Sequence, residues 1–141
     1  MNRASERRLL QIAIAIAACV PVAAGAAGAV LGAGMISGAE EASPSLDSHL
    51  RYLSGLLLAE GLLFWVLIPT IERQLTAVRV MTLLVVVGGL ARLGGLLVAE
   101  PGLPMKLALV MELLVTPALC LWQARVAARY RQPAGGAPGA A

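Results

Sequence analysis

The stretch GGLARLGGLL, residues 88–97, places one arginine inside a segment with the composition of a membrane-spanning helix. Arg92 is the only charged residue from Val80 to Ala99, and a pair of glycines lies on each side of it. An arginine within the hydrocarbon layer is costly even on the milder insertion scales, so it normally has a partner. This stretch therefore predicts a transmembrane helix whose cation is neutralised by another part of the chain.

The composition of the whole chain is that of an integral membrane protein. Of its 141 residues, 59% are hydrophobic and only 13% are charged, whereas about a quarter of the residues of a soluble domain are charged. Four apolar segments are each long enough to cross ~30 Å of hydrocarbon: residues 9–33, 49–70, 79–99 and 105–126. We predict an all-α fold, a four-transmembrane-helix bundle forming one integral membrane domain over residues 1–131, followed by a disordered tail at residues 132–141.

The arginines predict the orientation of these spans, because Lys and Arg concentrate on the cytoplasmic side of a membrane. Eight arginines lie at or beyond the span ends that face one side of the membrane, namely the start of span one, the turn between spans two and three, and the end of span four: Arg3, Arg7, Arg8, Arg73, Arg79, Arg125, Arg129 and Arg131. Four acidic residues lie in the opposite loops: Glu40, Glu41, Asp47 and Glu100. We therefore expect a multi-pass protein of a bacterial inner (cell) membrane with both termini in the cytoplasm.

The first span has two alternative interpretations. Its arginine-rich start and apolar run resemble a cleaved signal peptide, and Ile16-Ala17-Ala18-Cys19 resembles a lipoprotein processing site. The chain stays apolar from Val20 to Ala33, whereas an exported mature end normally turns polar, and this favours a retained helix. Mapping the N-terminus of the mature protein distinguishes a retained helix from a cleaved signal peptide and from a processed lipoprotein.

Small residues mark the expected helix-packing positions. In span one, Ala24, Gly28 and Gly32 repeat every four residues, a spacing that lets another helix approach closely. This face predicts packing against another span of the chain or, alternatively, a homo-oligomer formed through span one. Further packing positions are predicted on spans two and three: Gly55, Gly88 and Gly95.

The predicted partner of Arg92 is Glu112 in span four. Arg92 lies ~10 Å below the expected outer edge when counted from Ala99, and Glu112 lies ~12 Å below it when counted from Pro104. The short turn EPGLP, residues 100–104, joins the two spans as a tight hairpin. Because the two side chains are at matching depth on its two arms, we predict an Arg92–Glu112 ion pair.

Two further ionisable residues belong to span two. Arg51 is near its outer edge, and Glu60 lies nine residues further on, on the opposite helix face among leucines. Glu60 is expected either to be uncharged or to be paired across a helix or subunit interface. Because two arginines balance two glutamates, a polar cluster is predicted from four residues, with a structural or a ligand-binding role: Arg51, Glu60, Arg92 and Glu112.

The sequence holds no motif of a common enzyme or metal site. His49 is the only histidine, and with Asp47 it supplies two ligands, too few for a metal site. There is no phosphate-binding loop and no Glu-x-x-His pair of a di-iron protein. We therefore predict no metal and no cofactor. Nucleic acid is not an expected partner either, because the arginines lie at the ends of spans and form no stripe with aromatic residues.

Four stretches resemble the family of small bacterial membrane proteins known as domain of unknown function 4345. They are HLRYLSGLLLAEG (49–61), GGLARLGGLL (88–97), the GLP corner (102–104) and MELLVTPALCLWQAR (111–125). The resemblance implies a four-helix inner-membrane protein whose characteristic polar positions are Arg51, Arg92 and Glu112. It implies no activity, and Glu60 is not part of the pattern.

Two functions from different classes follow from these residues. The first is a non-enzymatic structural or interaction role in the lipid bilayer, with the Arg–Glu pair fixing the helix bundle. The alternative is small-ligand binding or transport through a polar pocket in the outer half, built on Arg92, Glu112 and Arg51. A dry, fully paired cluster favours the first, and a water-accessible cavity that reaches Arg92 favours the second. A membrane enzyme would need a nucleophile or a metal that the sequence does not show.

Overall fold

The computed structural model describes residues 2–36, 42–98, 100 and 102–131. Its regular elements over these residues are all helical: α1 (Arg3–Leu31), α2 (Pro44–Leu67), α3 (Leu75–Gly95), α4 (Leu103–Val110) and α5 (Thr116–Arg131). Short 3-10 segments extend α1 at Gly32–Met35 and α2 at Ile68–Arg73, and a π-helical turn at Met111–Val115 joins α4 to α5. The predicted all-α fold class is confirmed.

Four helical stretches are long and apolar enough to cross a membrane, one for each predicted span: Arg3–Met35, Pro44–Arg73, Leu75–Gly95 and Leu103–Arg131. Three of them exceed the predicted spans, because helical hydrogen bonding continues beyond the apolar residues into polar flanks. The third ends at Gly95 instead of residue 99, since the Gly94–Gly95 pair is a poor helix former. The predicted disordered tail, residues 132–141, lies outside the described residues.

The start of α2 follows from its sequence. Ser43 precedes the helix in an extended conformation, and its side-chain oxygen accepts a hydrogen bond from the Leu46 amide at 3.3 Å. Pro44 is the first helical residue, where its missing N–H costs nothing. This hydroxyl cap and proline start α2 five residues ahead of the apolar stretch.

Contacts divide the chain into two compact units, residues 11–69 and residues 1–10 with 70–141. The first, here the α1–α2 unit, pairs the two helices antiparallel. A Cβ atom added to Gly61 would lie 2.7 Å from Val22 Cγ2, so the helices are in close contact there. Further along, Trp65 Nε1 donates a hydrogen bond to the Ala15 carbonyl at 3.1 Å.

The second, here the α3–α5 unit, packs α3 against α4, the π turn and α5, and includes the first ten residues of the chain. Its largest fully buried side chains are Leu10, Ile71, Gln123 and Val126. Gln123 is polar, and its Nε2 donates to the Ile71 carbonyl at 2.7 Å. Many large apolar side chains of both units are exposed, as a lipid-facing surface requires. Leu121 is 74% exposed and Val66 is 71% exposed.

Candidate functional site

Arg92 and Glu112 meet in the α3–α5 unit through two parallel hydrogen bonds. Arg92 Nε donates to Glu112 Oε2 at 3.1 Å, and Arg92 Nη2 donates to Glu112 Oε1 at 3.0 Å. This two-point arrangement uses both carboxylate oxygens and is the strongest geometry for an Arg–carboxylate pair. The side chains are 35% and 18% exposed. The structure thus brings together the two residues that the depth argument paired.

The third guanidinium nitrogen has a weaker partner. Arg92 Nη1 lies 2.9 Å from the Met105 sulfur, and a thioether is a poor hydrogen-bond acceptor. Arg92 also lies in the last turn of α3, where the helix dipole favours a positive charge. The cation that the sequence places deep in a span is therefore close to the end of its helix.

The π turn positions Glu112. Pro117 has no N–H, so the regular helical hydrogen bond to the Leu113 carbonyl cannot form. The chain adopts the wider π turn at Met111–Val115 just before this proline, and the Thr116 amide and hydroxyl both donate to the Met111 carbonyl, the hydroxyl at 2.8 Å. Such turns insert one extra residue into a helix and rotate the residues that follow.

The close approach of α3 to this turn is at Gly89. A Cβ atom there would lie 2.8 Å from Leu113 Cδ2 and 2.9 Å from Glu112 Cβ. At Gly88 and Gly95 a Cβ atom would meet nothing within 4 Å. With about 100° per residue, Gly88 and Gly95 lie on one side of Arg92 and Gly89 on the other. The structure therefore places the helix contact at Gly89 in place of the two predicted positions.

Arg51 lies in the α1–α2 unit, and its acidic partner is Asp47, a residue outside the predicted polar cluster. Its Nε donates to Asp47 Oδ2 at 2.7 Å, one helical turn earlier. Its Nη1 donates to the carbonyls of Ala29 at 3.1 Å and Val30 at 2.6 Å. Arg51 therefore satisfies the last carbonyls of α1, which have no partner within their own helix.

Asp47 completes this cap, together with Gly32. Asp47 Oδ1 accepts a hydrogen bond from the Ala33 amide at 2.7 Å. Gly32 has a φ of 59°, the left-handed conformation with which helices commonly end. A Cβ atom on Gly32 would overlap the Asp47 carboxylate and the Arg51 guanidinium. We call Gly32, Asp47 and Arg51 the α1 cap.

The small-residue face of α1 contacts α2 of the same chain. A Cβ atom on Gly28 would overlap Ser54, and one on Gly25 would lie 2.8 Å from the Ser54 carbonyl oxygen. This matches the alternative in which span one packs within the chain. Gly55, the packing position predicted on span two, has open space where its Cβ atom would lie.

Glu60 is half-buried on α2, in the α1–α2 unit. Of the four residues of the predicted polar cluster, Arg51 takes part in the α1 cap and Arg92 pairs with Glu112. Within the described residues, no group of three or more His, Cys, Asp or Glu side chains could hold a metal ion.

Sequence reasoning missed a set of ion pairs at the other end of the α3–α5 unit. Arg7 Nε donates to Glu72 Oε2 at 2.8 Å, and Arg129 Nη1 donates to Glu6 Oε2. Glu6 is only 5% exposed. The sequence does hold a signal for the buried Glu6. Leu9 and Leu10 follow it three and four residues later, so Glu6 shares a helix face with apolar side chains.

A comparison with known proteins places these residues in a family. A search of curated proteins and a search of solved structures found no match. A family model described as "Domain of unknown function (DUF4345)" matches residues 9–123, which include Arg51, Arg92 and Glu112. Because the match covers well over half of the chain, this protein belongs to the DUF4345 family, as the resemblance of its motifs predicted.

Proposed function

We propose that this protein has a structural or interaction role in a bacterial inner membrane, with the Arg92–Glu112 pair fixing the register of its third and last spans. The observation that carries the proposal is the two-point hydrogen bonding between guanidinium and carboxylate. An ion pair of this geometry in apolar surroundings admits one register, because a slip by one residue rotates a side chain by about 100°. Gly89 allows the close approach that the pair needs.

The charge distribution supports an orientation with both termini in the cytoplasm. Eight arginines flank the predicted cytoplasmic ends of the spans, against two glutamates, Glu6 and Glu72. An excess of Lys and Arg on the cytoplasmic side is the main determinant of orientation.

A homo-oligomer through span one stays a prediction, and packing of α2 on the same face of α1 competes with it. Because α2 already contacts the glycines of α1 at Ser54 and Leu58, a second copy would have to displace α2 or bind another face. We therefore assign Gly28 and Gly32 to packing within the chain.

The second candidate function is binding of a small anionic or zwitterionic ligand at Arg92. It is favoured by one observation, the weak thioether acceptor at Arg92 Nη1, which a carboxylate or phosphate oxygen could replace. Arg51 takes part in the α1 cap, so the site proposed here is built on Arg92 and Glu112.

A ligand screen by thermal shift on the purified full-length protein tests the two functions against each other. The panel contains small carboxylates, phosphates and zwitterionic amino acids, and Glu112→Gln is run beside the parent. The structural role predicts that Glu112→Gln lowers the Tm and that no compound raises the Tm of either protein. A compound that raises the Tm of the parent but not that of an Arg92→Gln variant would contradict that role and establish ligand binding at Arg92.

A further inference from the structure

The α3–α5 unit carries an excess of positive charge at one end, here the basic end, comprising residues 3–8, 71–79 and 123–131. It contains eight arginines and two glutamates. Hydrogen bonds hold its three segments together: Arg7 with Glu72 at 2.8 Å, Gln123 with the Ile71 carbonyl at 2.7 Å, and Arg129 with Glu6. The arginines of the basic end therefore lie in one place.

Both glutamates of the basic end already have a guanidinium partner, Arg7 for Glu72 and Arg129 for Glu6. Five other arginines are exposed and take part in none of the ion pairs found among the described residues: Arg8, Arg73, Arg79, Arg125 and Arg131. The basic end thus presents several guanidinium groups that form no ion pair with a carboxylate of the described residues.

Two of these arginines lie on helices at the edges of the predicted apolar spans, Arg79 at the start of 79–99 and Arg125 near the end of 105–126. Arg79 is four residues into α3, about 6 Å from its start, and Arg125 is six residues before the end of α5, about 9 Å from it. Their neighbours Val80 and Leu121 are 53% and 74% exposed, as side chains that contact lipid are. An arginine at the edge of a membrane span extends its guanidinium toward the headgroup layer.

The acceptors in that layer are phosphate oxygens. A guanidinium binds phosphate through two parallel hydrogen bonds, and it is less strongly hydrated than an ammonium group. Anionic headgroups add the attraction of net charge, worth about 1 kcal/mol, or about a fivefold change in affinity, for each basic residue near the surface. We propose that the basic end is a binding surface for anionic phospholipids, with Arg79 and Arg125 contacting their phosphate groups.

The test compares two lipids that differ in headgroup charge. Purified full-length protein in a neutral detergent is titrated with phosphatidylglycerol or with phosphatidylcholine of the same acyl chains, and the Tm is followed. We expect half-maximal stabilisation at a clearly lower concentration of phosphatidylglycerol. Arg79→Gln and Arg125→Gln should each reduce that preference about fivefold, and the double variant more. Equal effects of the two lipids on the parent would overturn the proposal, whatever the variants do.

Lys106→Gln is the matched control, because it also removes one exposed cation from the same unit. Among the described residues, Lys106 forms one long ion pair, 3.9 Å to Glu100. Lys106→Gln should keep the full preference for phosphatidylglycerol. If it reduces that preference as much as Arg79→Gln does, the preference depends on net charge and not on a binding surface at the basic end, which would overturn the proposal. Where the double variant fails to fold, Arg73→Gln with Arg131→Gln tests the same surface at its helix ends. Inorganic phosphate is titrated in parallel, and a shift equal to that of the lipid would overturn the lipid assignment.

Discussion

Gly32 shows how one residue determines the end of a helix. Its φ of 59° turns the chain after α1, and the absence of a side chain leaves room for the Asp47 carboxylate and the Arg51 guanidinium. Those two groups then bind the Ala33 amide and the last carbonyls of α1. The cap therefore depends on three residues together, with the glycine as the one that no other residue type can replace.

Gly32→Ala tests this position. A non-glycine residue in the left-handed conformation costs about 1–3 kcal/mol, and here the new methyl group also overlaps the cap. We expect the free energy of unfolding to fall by at least this amount in detergent-based unfolding experiments. The control is Gly34→Ala, where a Cβ atom meets nothing within 4 Å, and its effect should stay within about 0.5 kcal/mol. Equal losses in the two variants would contradict the role given to Gly32.

At this scale, helical depth was enough to pair Arg92 with Glu112 but not enough to find the partner of Arg51. Asp47 precedes Arg51 by four residues, the spacing at which opposite charges meet on a helix. Asp47 lies ahead of the apolar stretch, so composition alone assigned it to a loop. The capped start of α2 at Ser43 and Pro44 extends the helix over it.

The contact between α3 and the π turn shows what periodicity could and could not predict at the scale of an element. The close contact near Arg92 is at Gly89, whereas the predicted packing positions Gly88 and Gly95 have open space where a Cβ atom would lie. Which glycine makes the contact depends on the rotation of α3 about its axis, and Gly88 and Gly89 differ there by about 100°. The π turn is not visible in the apolar pattern, since Pro117 predicts a disturbed helix without specifying its form.

Substitution of adjacent glycines distinguishes their roles. In Gly89→Val the added side chain meets Leu113 and the Cβ atom of Glu112, and overpacking of this kind costs about 1–3 kcal/mol. Gly88→Val adds the same side chain in open space and should change the free energy of unfolding by about 0.5 kcal/mol or less. Folded yield and unfolding in detergent measure both. A larger loss in Gly88→Val than in Gly89→Val would contradict the observed rotation of α3.

For the whole molecule, the four apolar stretches predicted both the fold class and the number of long helices. The ion pairs of the basic end could not be predicted in this way, because Glu6 and Arg129 are 123 residues apart in sequence. Such a pair depends on tertiary packing, which local sequence patterns do not predict. The family match to residues 9–123 leaves both residues outside the matched range.

The orientation of the chain is tested with single cysteines. In a background where Cys19 and Cys120 are replaced by alanine, Asn2→Cys and Glu100→Cys each introduce one thiol at an exposed position. If both termini are cytoplasmic, a membrane-impermeant maleimide should label Glu100→Cys in intact spheroplasts. It should label Asn2→Cys only after permeabilisation, and the reverse pattern would contradict the orientation.

The most direct test of the central claim is a double-mutant cycle on the Arg92–Glu112 pair, measured as the free energy of unfolding in detergent. Arg92→Leu or Glu112→Leu alone leaves one charge without its partner and should lower the free energy of unfolding by about 2–4 kcal/mol. This is less than for a fully buried pair, because Arg92 is partly exposed. The variant with both substitutions removes both charges, and it should be more stable than either single variant. A double variant whose loss equals the sum of the two single losses would show that the two residues do not stabilise each other, and would contradict the account.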